Sequence, residues 1–431
     1  TIDNQVNWDT TAKTAGFTAV AGNGYFVNTT SGAITVTLPA SPSAGDLVGI
    51  KDYANTADTN NITIARNGEN IQGVANDFLI NTEGASVTLF YVDGTQGWVT
   101  VSDSIPTDVQ TFEYVAATGG TITTCGDFKI HTFTGPGTFT VTNAGNSLGS
   151  NSVDYLVVAG GGAGGSNNPG PGSHGGGGGA GGLRIGAVCA PSAPPLVTTA
   201  LPVTATGYPI TVGGGGSPQT GNPGTQGSNS VFSTITSTGG GFGGAGGPSP
   251  TSPRVGGDGG SGGGSRDTIA GGSGNTPPVS PPQGNDGGAG PYGGGGGAGS
   301  TGKGTPQVPS PAPGNASAGD GFPVASVFGA APQPFYLPDS PNVGVTACGT
   351  FAGGGGSGFG GTDATSRAGG PGGGGQSGTR VPAGNPAPAG TAGRTNSGGG
   401  GGAVGSHPDA GPGGSGGAGG SGIVIIRYKF Q

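Results

Sequence analysis

The chain has 431 residues and a formal net charge of −8, and its 107 Gly and 36 Pro make up about one third of it, where average usage would give roughly 12%. Charged residues are only 8% of the chain, against a typical value near 25%, and Met is absent. This composition excludes an ordinary globular enzyme over most of the length, a coiled coil, and collagen, in which glycine recurs at every third position.

Signals for targeting and for charged partners are equally sparse. No run of 18 apolar residues occurs and no charged-then-apolar leader opens the chain, so we expect neither membrane insertion nor a secretory signal. Residues 1–159 carry 4 basic and 14 acidic side chains, and residues 160–431 carry 9 and 7. Because nucleic-acid phosphates require a basic surface, no nucleic-acid partner is predicted. A start at Thr1 without any Met fits either loss of an initiator Met or trimming of a longer chain.

Residues 1–105 have the pattern of several short strands. Apolar and polar side chains alternate over 34–38, and Gly, Asn, Asp or Pro interrupts nearly every gap between such runs. The pattern predicts an N-terminal β-sandwich with one small core. The predicted strands cover 24–28, 34–38, 47–53, 61–65, 78–81, 87–92 and 98–101. The predicted core residues are Phe26, Leu38, Ile50, Ile64, Leu79, Leu89, Tyr91 and Trp98.

Residues 106–159 predict a second β module, which we expect to serve as the base of a glycine-rich region. Alternation runs from 128 to 134, and further strands are predicted at 139–141 and 154–158. A tight turn over 134–138 connects the first two of these runs. At Gly160 the composition changes abruptly to glycine.

About ten glycine tracts, interrupted almost only by Ala and Ser, occupy residues 160–422 and are joined by polar, Pro-rich segments. Disorder is one interpretation, because ordering glycine costs more backbone entropy than ordering any other residue. Two features favour an ordered block. Strand-like runs bound it, at 155–158 and 423–428, and others recur inside it, at 208–212 and 230–235.

The ordered solution that we predict is a bundle of roughly six to ten left-handed polyglycine II helices with about 3.1 Å rise per residue. Their backbone groups have no internal partner, so packed neighbours must supply the hydrogen bonds, and only glycine allows backbones to approach so closely. The predicted fold class is therefore all-β plus polyglycine II. The bundle fills 160–422, and residues 423–431 form a C-terminal strand that returns to the β base.

Several motifs resemble those of bacteriophage virion proteins. They are GGTIT at 119–123, KIHTFT at 129–134, GTFTV at 137–141, DYLVVA at 154–159 and GGSGIVIIRY at 419–428. The N-terminal motifs GYF at 24–26, TVTLP at 35–39 and VDGTQGW at 92–98 look like those of a β module of phage tail fibres. The combination is most similar to structural proteins of marine cyanophages and related marine phages.

The resemblance implies a virion structural protein, made in the host cytoplasm and located in a tail fibre or on the capsid surface. A tail-fibre or adhesin tip for host attachment is the first hypothesis. It implies other virion proteins and a host cell-surface glycan or protein receptor as partners, with a homotrimer as one arrangement that fibre proteins take. The alternatives are a capsid fibre or decoration protein without a receptor role, and a non-viral extracellular structural protein.

The sequence predicts no enzyme, no cofactor and no metal site. His131, His174 and His407 lie far apart in sequence, and no Cys or His pair has zinc spacing. Matches to G-x-G-x-x-G follow from composition, since no strand–helix unit surrounds them. Cys125, Cys189 and Cys348 form no framework, although a Cys189–Cys348 bridge is left open.

Contact with a receptor is predicted where side chains interrupt the glycine, because loops on a rigid scaffold usually carry binding residues. The longest interruption, 305–351, contains the candidates Phe328, Phe335 and Tyr336, and Tyr292 stands alone among glycines. Aromatic side chains offer large, rigid contact area to glycans or protein loops. The alternative interpretation is that the aromatic residues of 305–351 pack against the bundle and seal it.

Overall fold

The computed structural model describes residues 6–103, 112–167, 174–188, 196–246, 254–266, 269–290, 292–302, 318–329, 333, 335–336, 349–358, 366–382, 385–406 and 413–431. Within these ranges the regular structure is β-strand, apart from a single four-residue helix. The chain divides into two compact units. Unit 1 comprises Thr1–Glu113 with Asn146–Gly149, and unit 2 comprises Tyr114–Gly145 with Ser150–Gln431.

The described residues of unit 1 form nine strands in two sheets around one core. The strands are β1 (Asn7–Lys13), β2 (Phe17–Thr18), β3 (Asn23–Val27), β4 (Ile34–Thr37), β5 (Leu47–Asp52), β6 (Ile62–Ala65), β7 (Phe78–Ile80), β8 (Ser86–Asp93) and β9 (Gly97–Asp103). One sheet has the order β1-β3-β5-β8-β9 and the other has the order β2-β4-β6-β7.

The connectivity of unit 1 differs from that of an antiparallel sandwich. The first six strands alternate between the two sheets, and each of β3, β4, β5 and β6 pairs in parallel with the strand two places earlier. Only the pairs that involve β7, β8 and β9 are antiparallel. Alternation of apolar and polar residues is the same in both kinds of pair, so the sequence pattern could not distinguish them.

Seven of the eight predicted core residues of unit 1 are buried, and Phe26 is the exception. Tyr25 and Val27 point into the core on either side of it. Because successive side chains of a strand face opposite sides of the sheet, Phe26 lies on the outer face. There it packs against Trp8, with ring centroids 5.1 Å apart. The prediction that Phe26 is a core residue is therefore wrong.

Unit 2 contains the remaining strands and the helix. They are β10 (Val115–Thr118), β11 (Thr121–Cys125), β12 (Phe128–Phe133), β13 (Gly137–Ala144), β14 (Ser152–Val158), β15 (Leu183–Ala187), β16 (Val197–Thr199), β17 (Leu201–Pro202), β18 (Gly207–Thr211), β19 (Ser230–Phe232), β20 (Ile235–Ser237), β21 (Phe322–Pro323), α1 (Ala325–Phe328), β22 (Thr350–Phe351) and β23 (Ile423–Lys429).

The larger sheet of unit 2 has the order β11-β12-β23-β14-β15-β16, so the last strand of the chain lies between two strands of the β module. Both pairs made by β23 are antiparallel. One face of this sheet packs against the second sheet, β10-β13-β18-β19-β20, around Phe139, Phe232 and Tyr428. The other face packs against residues 322–328, 335–336 and 351–352. The run 230–235, predicted as one strand, is two strands with a left-handed turn residue, Ser233, between them.

The glycine tracts exchange hydrogen bonds with a period of three residues. Along residues 160–165, every third amide donates to the same neighbouring segment, and all six N···O distances lie between 2.8 and 3.1 Å. The donor–acceptor pairs are Gly160–Ser228, Ala163–Thr225, Gly161–Gly420, Gly164–Gly417, Gly162–Gly179 and Gly165–Gly176. The carbonyls of the same tract accept from three further segments, around Gly216, Gly240 and Gly401.

Residues 176–182 repeat this pattern. Their amides donate in turn to 238–244, 293–296 and 398–401, at 2.8–3.0 Å. Ala159 bonds to Gly182 and Gly165 bonds to Gly176, so the first tract leaves the sheet at β14 and the second returns to it at β15. Residues 166–167 and 174–175 therefore lie at the end of the two tracts away from the sheet, which we call the far end.

Close approach of the backbones explains why these positions are glycine. A Cβ on Gly161 would overlap the carbonyl oxygen of Gly399, and one on Gly178 would overlap that of Gly162. The same holds for most tract glycines, whereas Ala163 and Ala180 occupy fully buried positions where a methyl group fits. The tracts thus require glycine for space rather than for unusual backbone angles.

Candidate functional site

Three of the four predicted receptor-contact residues lie in the interior of unit 2. Phe328 is 2% exposed, Phe335 4% and Tyr336 8%. Phe335 packs edge-on against both of the others, at 5.8 Å from Phe328 and 4.8 Å from Tyr336. They share one apolar cluster with Ile423 and Ile425 of β23. A receptor that binds the folded surface would not touch these three side chains.

An ion pair on the sheet face lies beside this cluster. Asp154 on β14 and Arg427 on β23 occupy paired positions, and the Asp154 carboxylate accepts hydrogen bonds from Arg427 Nε at 3.1 Å and Nη2 at 2.6 Å. The two side chains are only 7% and 13% exposed. The guanidinium also lies over the rings of Phe128, at 4.5 Å, and Phe328, at 5.1 Å. Arg427 therefore connects the last strand to the segment that covers the sheet.

The Tyr336 hydroxyl is held by a hydrogen bond to Gly329, the residue that follows α1. It donates to the carbonyl oxygen of Gly329 at 2.7 Å, and a Cβ on Gly349 would come within 2.8 Å of its ring. Burial raises the pKa of Tyr336 to about 12, although the positive charge of Arg427 acts in the opposite direction. The phenol therefore stays neutral at any physiological pH and acts as a structural donor.

Tyr292, the fourth candidate, occupies a different place, at the far end of the glycine tracts. It is half-buried and packs on His174, with ring centroids 4.7 Å apart and an angle of 34° between the rings. The guanidinium of Arg367 lies 5.8 Å from its centroid. His174 is only 7% exposed and supports the ring of Tyr292 from within, whereas Tyr292 and Arg367 are half-buried, so these two are the side chains that a polar ligand can reach at the far end.

A buried histidine lies on the opposite face of the large sheet. His131 Nδ1 is 2.7 Å from the carbonyl oxygen of Gly119, and Nε2 is 3.2 Å from the Tyr428 hydroxyl, which accepts the Ala117 N–H at 3.1 Å. Since a carbonyl can only accept, Nδ1 carries the proton and Nε2 accepts from Tyr428. Burial lowers the pKa of His131, and the nearby Lys129 adds to that effect. This arrangement holds a neutral imidazole as part of the fold.

We also searched the described ranges for metal sites, cysteine pairs and membrane-spanning helices. No group of three or more His, Cys, Asp or Glu side chains there is placed to hold a metal ion. Cys125 is an exposed free thiol, whereas Cys189, Cys348 and His407 lie outside the described residues. A helix with the length and apolarity to cross a membrane does not occur among the residues described.

Sequence reasoning did not identify His174 and Arg367 as neighbours of Tyr292. Each of the three residues stands where a connecting segment ends and a glycine tract begins. That boundary position was the available signal, but the contacts depend on which tracts lie side by side. Hydrogen bonds such as Gly177 to Gly293 determine this arrangement, and glycine-rich sequence carries no side-chain pattern that predicts them.

A comparison with known families finds one that covers most of the chain. The glycine-rich domain family matches residues 132–429, more than two thirds of the chain, and the protein belongs to that family. The matched region begins within β12 and ends with β23, so it contains both bounding strands and all the glycine tracts. No curated protein was found to match the chain.

Proposed function

We propose that the glycine tracts of unit 2 form a bundle of roughly six to ten left-handed polyglycine II helices. The period of three in the hydrogen bonds supports this, because a polyglycine II helix has three residues per turn and directs its backbone groups outward in three directions. Bonds of this kind contribute about 0.5–1.5 kcal/mol each. Ordering the backbone costs about 1–2 kcal/mol per residue. The bundle therefore needs the sheet, through β14, β15 and β23, as its anchor.

We further propose that the protein is a phage virion structural protein, and that it acts at a tail-fibre or adhesin tip in attachment to the host surface. The observation that supports this role is the far end. The glycine tracts there hold Tyr292 and Arg367 away from the sheet, with the buried His174 packed against Tyr292, so that a host glycan or protein receptor can reach the two half-buried side chains. Other virion proteins are the remaining partners, and a homotrimer is compatible with this role.

The second candidate function is a capsid fibre or decoration protein without a receptor. The burial of Phe328, Phe335 and Tyr336 favours it, since the longest insert of the glycine region contributes packing at these residues rather than contact area. A non-viral extracellular structural protein is the third candidate.

The division of the chain into residues 1–105, 106–159, 160–422 and 423–431 remains our proposal for the domains.

Antibody labelling of purified virions tests the role. Label at the tail tip supports the adhesin, label on the capsid supports the decoration protein, and absence from virions contradicts both viral roles. A second arm adds the purified protein as a competitor of adsorption. For an adhesin, the wild-type protein should block adsorption, and the Tyr292→Ala variant should block it less at equal thermal stability.

A further inference from the structure

We propose that Trp8, Phe26 and Tyr53 form a binding platform for a neutral polysaccharide on the outer face of the β1–β3–β5 sheet. We call these three side chains the aromatic platform. The inference goes beyond the proposed function, because it concerns unit 1 and requires neither a virion nor the glycine tracts.

Trp8 lies flat across two neighbouring strands. It is paired with Gly24 on β3, which is itself paired with Gly49 on β5. A Cβ on Gly24 would come within 2.7 Å of indole Cδ2 and Cε3, and one on Gly49 within 3.3 Å of Cζ2 and Cη2. The six-membered ring and the Val6 side chain, whose Cγ1 would come within 2.5 Å of a Cβ on Gly24 and 3.0 Å of one on Gly49, therefore share the space over backbone that only glycine leaves free. The side chain is nevertheless 38% exposed, so its outer surface is open to solvent.

The other two rings extend this surface. Phe26 is half-buried and inclined at 38° to the indole, with a centroid distance of 5.1 Å. Tyr53 is 57% exposed and stands edge-on to Phe26 at 6.4 Å and 75°. A shallow apolar floor with one upright ring fits a hexopyranose chain, because each sugar ring has a flat C–H face and a rim of hydroxyl groups. Aromatic side chains supply large contact area at low conformational cost.

Polar groups border the aromatic platform on the same face. Asn28 lies two residues after Phe26, and Lys51 is paired with Phe26 across the strands. The Asn28 Oδ1 accepts the Thr30 N–H at 3.1 Å, and the Lys51 ammonium donates to the carbonyl of Gly84. An amide and an ammonium group beside an aromatic floor are the groups that orient sugar hydroxyls.

The charge of this part of the chain selects a neutral ligand. Residues 1–113 carry 3 basic and 12 acidic side chains. An anionic polysaccharide would be repelled by this field, and so would a second copy of the same acidic unit. A neutral polysaccharide pays neither penalty, and it offers the apolar ring faces that Trp8 and Tyr53 match.

The test uses the full-length protein with maltohexaose, cellohexaose and mannohexaose as neutral probes and hexagalacturonic acid as the anionic probe. The chain has only two Trp, and Trp98 is fully buried, so acrylamide quenching of fluorescence reports on Trp8. At least one neutral hexasaccharide should bind by calorimetry and protect Trp8 from the quencher. Trp8→Ala and Tyr53→Ala should each weaken binding about tenfold or more.

Two further variants test whether binding depends on the position of the Trp8 ring and not merely on an intact fold. Gly24→Ala keeps the indole but displaces it and the Val6 side chain from the sheet, so binding should weaken in a variant that is less stable than wild type but still folded at the assay temperature. Val20→Ala removes an apolar side chain that is 59% exposed elsewhere and should leave affinity unchanged. The proposal is overturned if no neutral probe binds, if hexagalacturonic acid binds equally well, or if Trp8→Ala binds like wild type. A concentration-dependent dimer that Trp8→Ala abolishes would also overturn it, because a second copy would then cover the face.

Discussion

At the scale of single residues, the space available for a Cβ determines which positions in the glycine tracts must be glycine. Gly161 is buried, and a Cβ there would overlap the carbonyl oxygen of Gly399 on the neighbouring tract. Gly214 is exposed, and a Cβ there would meet nothing within 4 Å. Both are glycines of the same block, so they form a matched pair for substitution.

Gly161→Ala should lower the free energy of unfolding of unit 2 by about 1–3 kcal/mol, the usual cost of forcing an extra carbon into a closely packed site. Gly214→Ala should change it by no more than about 0.5 kcal/mol. Denaturant unfolding of both variants measures the difference. Equal stabilities would show that the tracts do not pack as closely as described.

His131 makes stability depend on pH. Its folded-state pKa is lowered by burial, so the unfolded chain binds the proton more tightly than the folded protein does. Its contribution is fully present above the unfolded pKa of about 6.5, and it is lost as pH falls from there through the lowered folded value. Protonation would also leave Nε2–H facing a Tyr428 hydroxyl that already accepts the Ala117 N–H.

Thermal unfolding from pH 8 to pH 5 tests this contribution, with His131→Gln as the variant that cannot titrate. The wild type should lose more stability than the variant over this range, and the excess loss should begin near pH 6.5. Parallel curves for the two proteins would mean that His131 is not held neutral by the fold.

At the scale of elements, the Asp154–Arg427 pair couples two neighbouring strands and the segment that covers them. Asp154 also accepts the Val188 N–H at 2.8 Å through its other oxygen, so one carboxylate joins β14, β23 and the end of β15. Removing one partner of such a buried pair leaves an uncompensated charge. The pair thus specifies the position of the last strand as well as stabilising it.

Asp154→Asn preserves the size of the side chain but removes its charge, and it should lower the free energy of unfolding by about 3–5 kcal/mol. Asp9→Asn is the control, because the Asp9–Lys13 pair is 2.8 Å long but lies largely at the surface. The control should have a much smaller effect in the same denaturant titration. Similar losses in the two variants would contradict the structural role assigned to Arg427.

Strands could be predicted from the sequence where apolar and polar side chains alternate. The pairing of strands and tracts could not be predicted where only backbone hydrogen bonds determine it. The strands around Ile34, Leu89 and Ile425 were predictable, because apolar alternation indicates a sheet face directly. The parallel order of unit 1 was not, since pairing direction leaves no trace in that alternation. For Phe335 and Tyr336 the sequence left both packing and receptor contact open, because residues that share their apolar cluster lie on β23, far along the chain.

At the scale of the whole molecule, the hydrogen bonds between the glycine tracts predict that the tracts are fixed against one another and are not mobile linkers. Every amide from 160 to 165 and from 176 to 182 has a carbonyl partner on another segment. In an isolated flexible chain these amides would be exposed to water. The strands β14 and β23, which lie next to each other in the centre of the large sheet, provide the reference for full protection in the same molecule.

Amide hydrogen exchange of residues 155–182, followed by mass spectrometry on the full-length protein, tests this claim most directly. We expect the amides of 160–165 and 176–182 to exchange as slowly as those of β14, since they open only when the tracts separate from one another and from the sheet. Exchange of both tracts at the rate of an unstructured peptide, with β14 still protected, would contradict it.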